Sequence, residues 1–157
     1  MRWNKLIVFI SLLLPLFFAI SSCVPGELTK PSTTYSKRDI VMSGAQEIPS
    51  NPSAGIGYLN VSYSKATKVL SYDFSWSGLS GPASAAHIHG LAPTGYVAGV
   101  AQAFSGLTAA ASGTFSGTVL VDGVKIKEED LLNGLYYVNI HTATYSGGEI
   151  RGQINFY

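Results

Sequence analysis

The stretch "KVLSYDFSW", Lys68 to Trp76, sets Leu70, Tyr72, Phe74 and Trp76 on one parity and Ser71, Asp73 and Ser75 on the other. A period of two marks a strand with one buried face, because successive side chains on a strand point to opposite sides. "GYLNVSYS", Gly57 to Ser64, alternates in the same way through Leu59, Val61 and Tyr63. "GTFSGTVLV" and "GLYYVNIHT" are further runs rich in β-branched and aromatic residues, which suit a pleated, half-buried surface. Clusters rich in Gly, Ser and Pro punctuate these runs: "SNPSAG", "SGLSGPAS", "LAPTGYVAG" and "YSGG". Many short strands with such punctuation predict an all-β fold, a single antiparallel β-sandwich or barrel.

One helix is expected. "KEEDLLNG", Lys127 to Gly134, opens with acids that complement the positive end of a helix dipole. Leu131 and Leu132 supply an apolar contact, and Gly134 suits the left-handed position just past the helix end. Two turns do not hold themselves in water, so packing must stabilise this segment.

The beginning of the chain is of another kind. "MRWNK" carries two basic residues, and Leu6 to Ile20 is an apolar run of fifteen residues. A membrane-spanning helix needs about 20 such residues. The run suits the apolar core of a secretory signal instead. It ends in "ISSC", Ile20 to Cys23, which holds the only cysteine of the chain. This resembles a bacterial lipobox, and the resemblance implies cleavage before Cys23 and acylation of that residue. Two or more acyl chains anchor stably where one does so only marginally. A lone cysteine in an exported chain has no internal disulfide partner, in keeping with such a role. The expected organisation is a lipoprotein signal peptide at 1–22, the lipidated Cys23 with a polar tether to 38, and a β domain at 39–157. Without the leader, eight basic residues face nine acidic ones, a formal charge of −1. No basic face is left for nucleic acid.

Two of the three histidines stand in "AAHIHG", Ala85 to Gly90. On a strand, His87 and His89 share one face and Ala86 and Ile88 the other. In "YYVNIHT", Tyr137, Asn139 and His141 oppose Val138 and Ile140; in "GEIRGQINFY", Glu149, Arg151 and Gln153 oppose Ile150, Ile154 and Phe156. With the aliphatic sets toward the core, His87, His89, Asn139, His141, Glu149, Arg151 and Gln153 are expected together on the opposite faces. The last two strands are expected to form a hairpin through "ATYSGG". Core matching fixes the parity of its register, short of a bulge, but not the register itself.

Four motifs, "SGAQEIP" (43–49), "AAHIHG" (85–90), "NGLYYVNIHT" (133–142) and "GGEIRGQI" (147–154), occur in this order over about 110 residues. Together they resemble the CHRD domain, named for its copies in the developmental regulator chordin. The resemblance implies an extracellular β-rich domain with no established enzymatic activity. The fold expectation is thus an immunoglobulin-like or superoxide-dismutase-like sandwich or barrel with one short helix.

Three readings of the histidines follow. They pin loops by bonding backbone or carboxylate groups, or they contact a partner, or they ligate a metal. The metal reading rests on spacing: residues i and i+2 on a strand can aim two imidazoles at one ion, and a third from a neighbouring strand completes a three-nitrogen site suited to Zn or Cu. The His-x-His pair is also similar to that of copper–zinc superoxide dismutase, but its two-metal set needs more than three histidines. Glu149 and Arg151 are expected to join an ordering network with Asn139 and Gln153. Glu47 has no acidic partner nearby in sequence, which leaves a two-carboxylate hydrolase unsupported. The functional expectation is a membrane-anchored exported lipoprotein, at the outer membrane or cell surface if the host has two membranes. Its role would be binding or structural at the envelope rather than catalytic, with an extracytoplasmic protein or glycan as partner. The alternative is a Zn- or Cu-binding domain with a redox or storage role.

Overall fold

A computed structural model describes residues 33–157. The expected lipobox, leader and most of the expected tether lie outside the described residues. Among those described, no helix is long and apolar enough to cross a membrane.

The domain is all-β. Its strands are β1 (Thr34–Ser43), β2 (Ile56–Ser64), β3 (Val69–Ser77), β4 (Ala83–Gly90), β5 (Val100–Ala103), β6 (Gly113–Leu120), β7 (Tyr136–Thr142) and β8 (Ile150–Ile154). All pairings are antiparallel, in one sheet of order β5-β4-β7-β8-β1-β2-β3-β6. Residues 34–38, assigned above to the tether, form the first half of β1 and pair with β2 from Thr34↔Ser64 onward. They are held there because Tyr35 packs against the core and edge-on to Phe156.

The sheet curls until its two edges nearly meet. Phe104, just past β5, lies 4.9 Å from Tyr72 and 5.4 Å from both Phe74 and Phe115. Ala110 and Ala111, ahead of β6, accept backbone bonds from Ala83 and Leu79. One core fills the curl, with Leu59, Val61, Tyr63, Leu70, Tyr72, Phe74 and Trp76 all buried as their alternation requires. Each such side chain contributes roughly 1.5–3 kcal/mol by leaving water. Trp76 also donates its indole N–H to Ala110 O at 3.0 Å.

The helix α1 spans Glu128–Leu132, inside the expected segment, and Leu131 is fully buried. Gly134 follows at φ 72°, and its N–H bonds Leu131 O. Tyr63 donates to Glu128 at 2.6 Å, and Lys68 pairs with the same carboxylate. Those bonds, Lys68 first, hold the Glu128 carboxyl down at about 2. They fasten the short helix to the ends of β2 and β3.

Candidate metal centre

The expected hairpin joins β7 to β8, with Ile140↔Ile150, Asn139↔Arg151 and Tyr137↔Gln153 in register. β4 is the other neighbour of β7, so Ala85 lies across from His141, His87 from Asn139 and His89 from Tyr137. Periodicity could not supply this adjacency, and it is what assembles the site. The aliphatic sets, Ala86 and Ile88, Val138 and Ile140, and Ile150 and Ile154, all face the core.

The opposite face is not open to water. Every residue of β7 is buried, and His89, Asn139, His141 and Arg151 are at most 9% exposed. The cover is the segment from Leu91 to Gly99, and the polar residues hold it down. His89 Nδ1 donates to Ala98 O at 2.9 Å, and Ala98 N donates to the Tyr137 hydroxyl at 3.3 Å. Arg151 donates to Tyr96 O at 2.8 Å, and Gln153 to Ala92 O at 2.9 Å and Gly134 O at 2.7 Å. The Arg151 guanidinium lies 3.4 Å from the centre of the Tyr137 ring, whose other neighbour is the parallel imidazole of His89 at 4.9 Å. Arg151 also donates to Gln153 at 2.8 Å. Of the residues expected in a polar network, Arg151 and Gln153 form the floor of a strap, whereas the Asn139 amide bonds Glu47.

Glu149 departs from the face expected for it. Its N–H bonds Ile140 O at 2.7 Å while Ile150 pairs with the same residue, so two residues stand opposite one, as in a β-bulge. The carboxylate turns to the side of Thr142, away from Arg151. It accepts bonds from Thr142 (2.5 Å), Ser53 (2.6 Å) and Ser80 (hydroxyl and N–H, both 2.7 Å). Burial alone would raise its pKa, but these donors outweigh burial and hold it below 4.5. A shared polar network of Glu149 with Arg151 is thus corrected: each has its own partners.

The three histidines converge. His87 Nδ1 lies 3.0 Å from His141 Nε2, and one nitrogen from each ring falls within 4.8 Å of the others. Two of the rings are oriented from behind, since His141 Nδ1 donates to Ser146 O at 2.9 Å as His89 Nδ1 does to Ala98 O. A carbonyl only accepts, so both Nδ1 atoms carry the proton, and in the neutral rings both Nε2 atoms keep a lone pair. Such outer bonds to carbonyls fix the tautomer and orientation of metal-ligating histidines. For His89 and His141 the loop-pinning and ligating roles are therefore not exclusive, since Nδ1 pins the loop and Nε2 is left to ligate. His87 Nδ1 donates to the bare Nε2 of His141 and gives up that proton when it ligates an ion. Burial, with the neighbouring imidazoles, lowers the pKa of His87, and burial lowers that of His141 against its bond to Ser146 O. Both shifts favour the neutral form that a metal requires.

Among the described residues, three buried side-chain atoms have no hydrogen-bond partner: His89 Nε2, Asn139 Oδ1 and Glu47 Oε1. Buried polar atoms are nearly always bonded, so an unpartnered one marks strain, chemistry or a missing ion or water. One nitrogen of His89 lies within 4.8 Å of those of the other two histidines, and Nε2 is the one that the bond to Ala98 O leaves free. Bonds of 2.0–2.1 Å to one ion place nitrogens about 3.3 Å apart in a tetrahedral set, so the 4.8 Å separation must close by ~1.5 Å. Ring rotation can supply a shift of that size.

Glu47 belongs to the same neighbourhood, which its sequence context did not reveal because it follows a 3-10 turn (Gly44–Gln46) and lies on no strand. Burial raises its pKa, against the Asn139 amide and the charge of Arg151. It fits only because residue 148 is glycine. A Cβ there would lie 2.2 Å from Glu47 Oε1, and the backbone has φ 132°. A cleft of about 260 Å³ between residues 47–51 and 144–148 borders this carboxylate and Ser146. A cleft of about 610 Å³ lies elsewhere, against Tyr58, Asn60 and Asp73 on β2 and β3, and meets none of the histidines.

Comparison with curated proteins and with solved structures finds no match. Comparison with family models finds one that spans most of the described domain, including all three histidines, Asn139, Glu149, Arg151 and Gln153: residues 39–154 match the CHRD domain, and the chain belongs to that family.

Proposed function

We propose that the chain is an exported, membrane-anchored lipoprotein whose CHRD domain binds a transition-metal ion, Zn or Cu, through His87 Nδ1, His89 Nε2 and His141 Nε2. One observation carries the metal reading: three imidazole nitrogens meet at one place, two of them on buried rings, and one of them has no partner there. Imidazole suits these two ions, and three nitrogens leave a coordination position for water or another ligand. The domain then works as a binder or carrier at the envelope rather than as a catalyst. Export and anchoring are supported by the lipobox residues Ile20 to Cys23 and by the extracellular type of the domain.

Thermal unfolding with and without added Zn or Cu tests the metal reading. A ligand held only by the folded state at 100 times its Kd stabilises by about 2.7 kcal/mol. The melting temperature of the purified chain should rise with free metal, and the rise should vanish in His87→Ala. No rise, or an equal rise in the variant, would refute the site. For the anchor, Cys23→Ser should abolish acyl labelling and leave the precursor uncleaved; unchanged labelling and cleavage would refute it.

A further inference from the structure

The strand directions give the domain two distinct ends. β1 begins at Thr34, which pairs with Ser64; Ser64 pairs with Val69, and Val69 with Leu120. One row thus runs from the start of β1 to the end of β6. In the other half, β8 is antiparallel to β1 through Ser43↔Arg151, so its C-terminus points the same way as Thr34. Ile154 pairs with Tyr136, and Tyr136 with Gly90, so the chain leaves β4 at this end too. The other end holds the segment after Ser43, including Ile48 to Asn51, and the turn between β7 and β8.

Apolar side chains are the more exposed at the first end, where they are interspersed with the exposed Asp122, Lys125, Lys127 and Glu129. Leu91, Leu120, Val124 and Tyr157 follow strands out of the first end and are 48%, 57%, 80% and 78% exposed. Single exposed apolar side chains are ordinary on a soluble domain. These four share the end at which the described chain begins. At the other end, Ile48 and Ile56 are 42% and 38% exposed, and Ile48 lines a cleft with Ser50, Asn51, Thr144 and Ser146.

Ten residues separate Cys23 from Thr34. Fully extended they span at most about 35 Å, roughly one diameter of a domain of this size. An acylated Cys23 therefore keeps the Thr34 end within reach of the bilayer.

We infer that this end, with Leu91, Leu120, Val124 and Tyr157, rests on the lipid surface that holds the anchor; the inference rests on the anchoring reading above. The occupant is the interfacial zone of the bilayer, where exposed Leu and Val lose contact with water and the Tyr ring keeps its hydroxyl at the headgroups. The anchor has already brought the domain to the membrane, so weak additional contacts suffice to orient it. The end with Glu47, Asn51 and the 143–148 turn then faces away from the membrane.

The test uses the processed, lipidated chain in phosphatidylcholine–phosphatidylglycerol vesicles. A bimane label is placed at Val124→Cys, Tyr157→Cys or, as the far-end control, Ser50→Cys. An acylated Cys23 has no free thiol and takes no label. With brominated lipids, quenching at positions 124 and 157 should exceed that at 50 several-fold. If the chain floats with the vesicles but all three labels are quenched alike, the orientation is wrong and the anchor stands. If position 50 is quenched most, the domain rests on its other end and the inference is overturned. If the chain does not float and carries no acyl group, the anchor falls and the inference with it. Two independent positions at the first end protect the result against a single variant that folds poorly.

Discussion

His87 Nδ1 and His141 Nε2 lie 3.0 Å apart, although 54 residues separate them along the chain. β4 and β7 bring them together, and the bond from His141 Nδ1 to Ser146 O decides which nitrogen of His141 is presented. The same logic applies to His89 and Ala98 O. In the metal-free domain, nitrogen-detected NMR should find the neutral forms of both rings protonated at Nδ1 and bare at Nε2. If either ring is protonated at Nε2 instead, it offers no lone pair to the shared point, and the three-nitrogen set is lost.

Glu149 gives the domain a pH dependence of known sign. Its folded pKa lies below the ordinary 4.5, so its contribution is complete above about pH 4.5 and is lost as pH falls through the folded value. Glu149→Gln should cost about 2–4 kcal/mol at pH 7, because it removes charge from a buried acceptor with four donors. The difference from wild type should narrow as the pH falls below 4.5. Denaturant titrations at pH 7 and pH 3 check this, and a constant difference would contradict it.

Trp76 is 3% exposed and its indole N–H is bonded. Trp76→Ala should destabilise the domain by about 3–5 kcal/mol in equilibrium unfolding. A loss below about 0.5 kcal/mol would place the ring outside the core and overturn the face assignment of β3.

Arg151 holds the strap through Tyr96 O and through its stack on Tyr137. Arg151→Met keeps much of the apolar volume but removes the donors. Faster amide exchange should then appear at Ala98 and Gly90, whose N–H groups bond Tyr137 and Gly99. Exchange at the β2–β3 pairing should change far less. Uniformly faster exchange would mean that Arg151 supports the whole fold rather than the strap.

Much of this arrangement was legible in the sequence. Alternation placed Leu70, Tyr72, Phe74 and Trp76 in the core, and parity placed the three histidines opposite Ile88, Val138 and Ile140. What alternation cannot carry is the identity of a neighbour, because any two strands of matching parity could pair. It also cannot see a covering segment: 91–99 has no period, yet it buries the second face of β7. The bulge at Glu149 hid for a related reason, since one extra residue reverses the side to which a side chain points. Glu47 lies outside any strand, and only the contact with Gly148 and Asn139 brings it to the site.

The central claim is that His87, His89 and His141 hold one metal ion. Anomalous diffraction from a crystal of the domain grown with stoichiometric Zn, collected on both sides of the Zn edge, tests it most directly. The account predicts one strong peak about 2.0–2.1 Å from His87 Nδ1, His89 Nε2 and His141 Nε2, with the bonds to Ala98 O and Ser146 O retained. A map with no peak among the three rings, or with peaks only elsewhere on the surface, would contradict it.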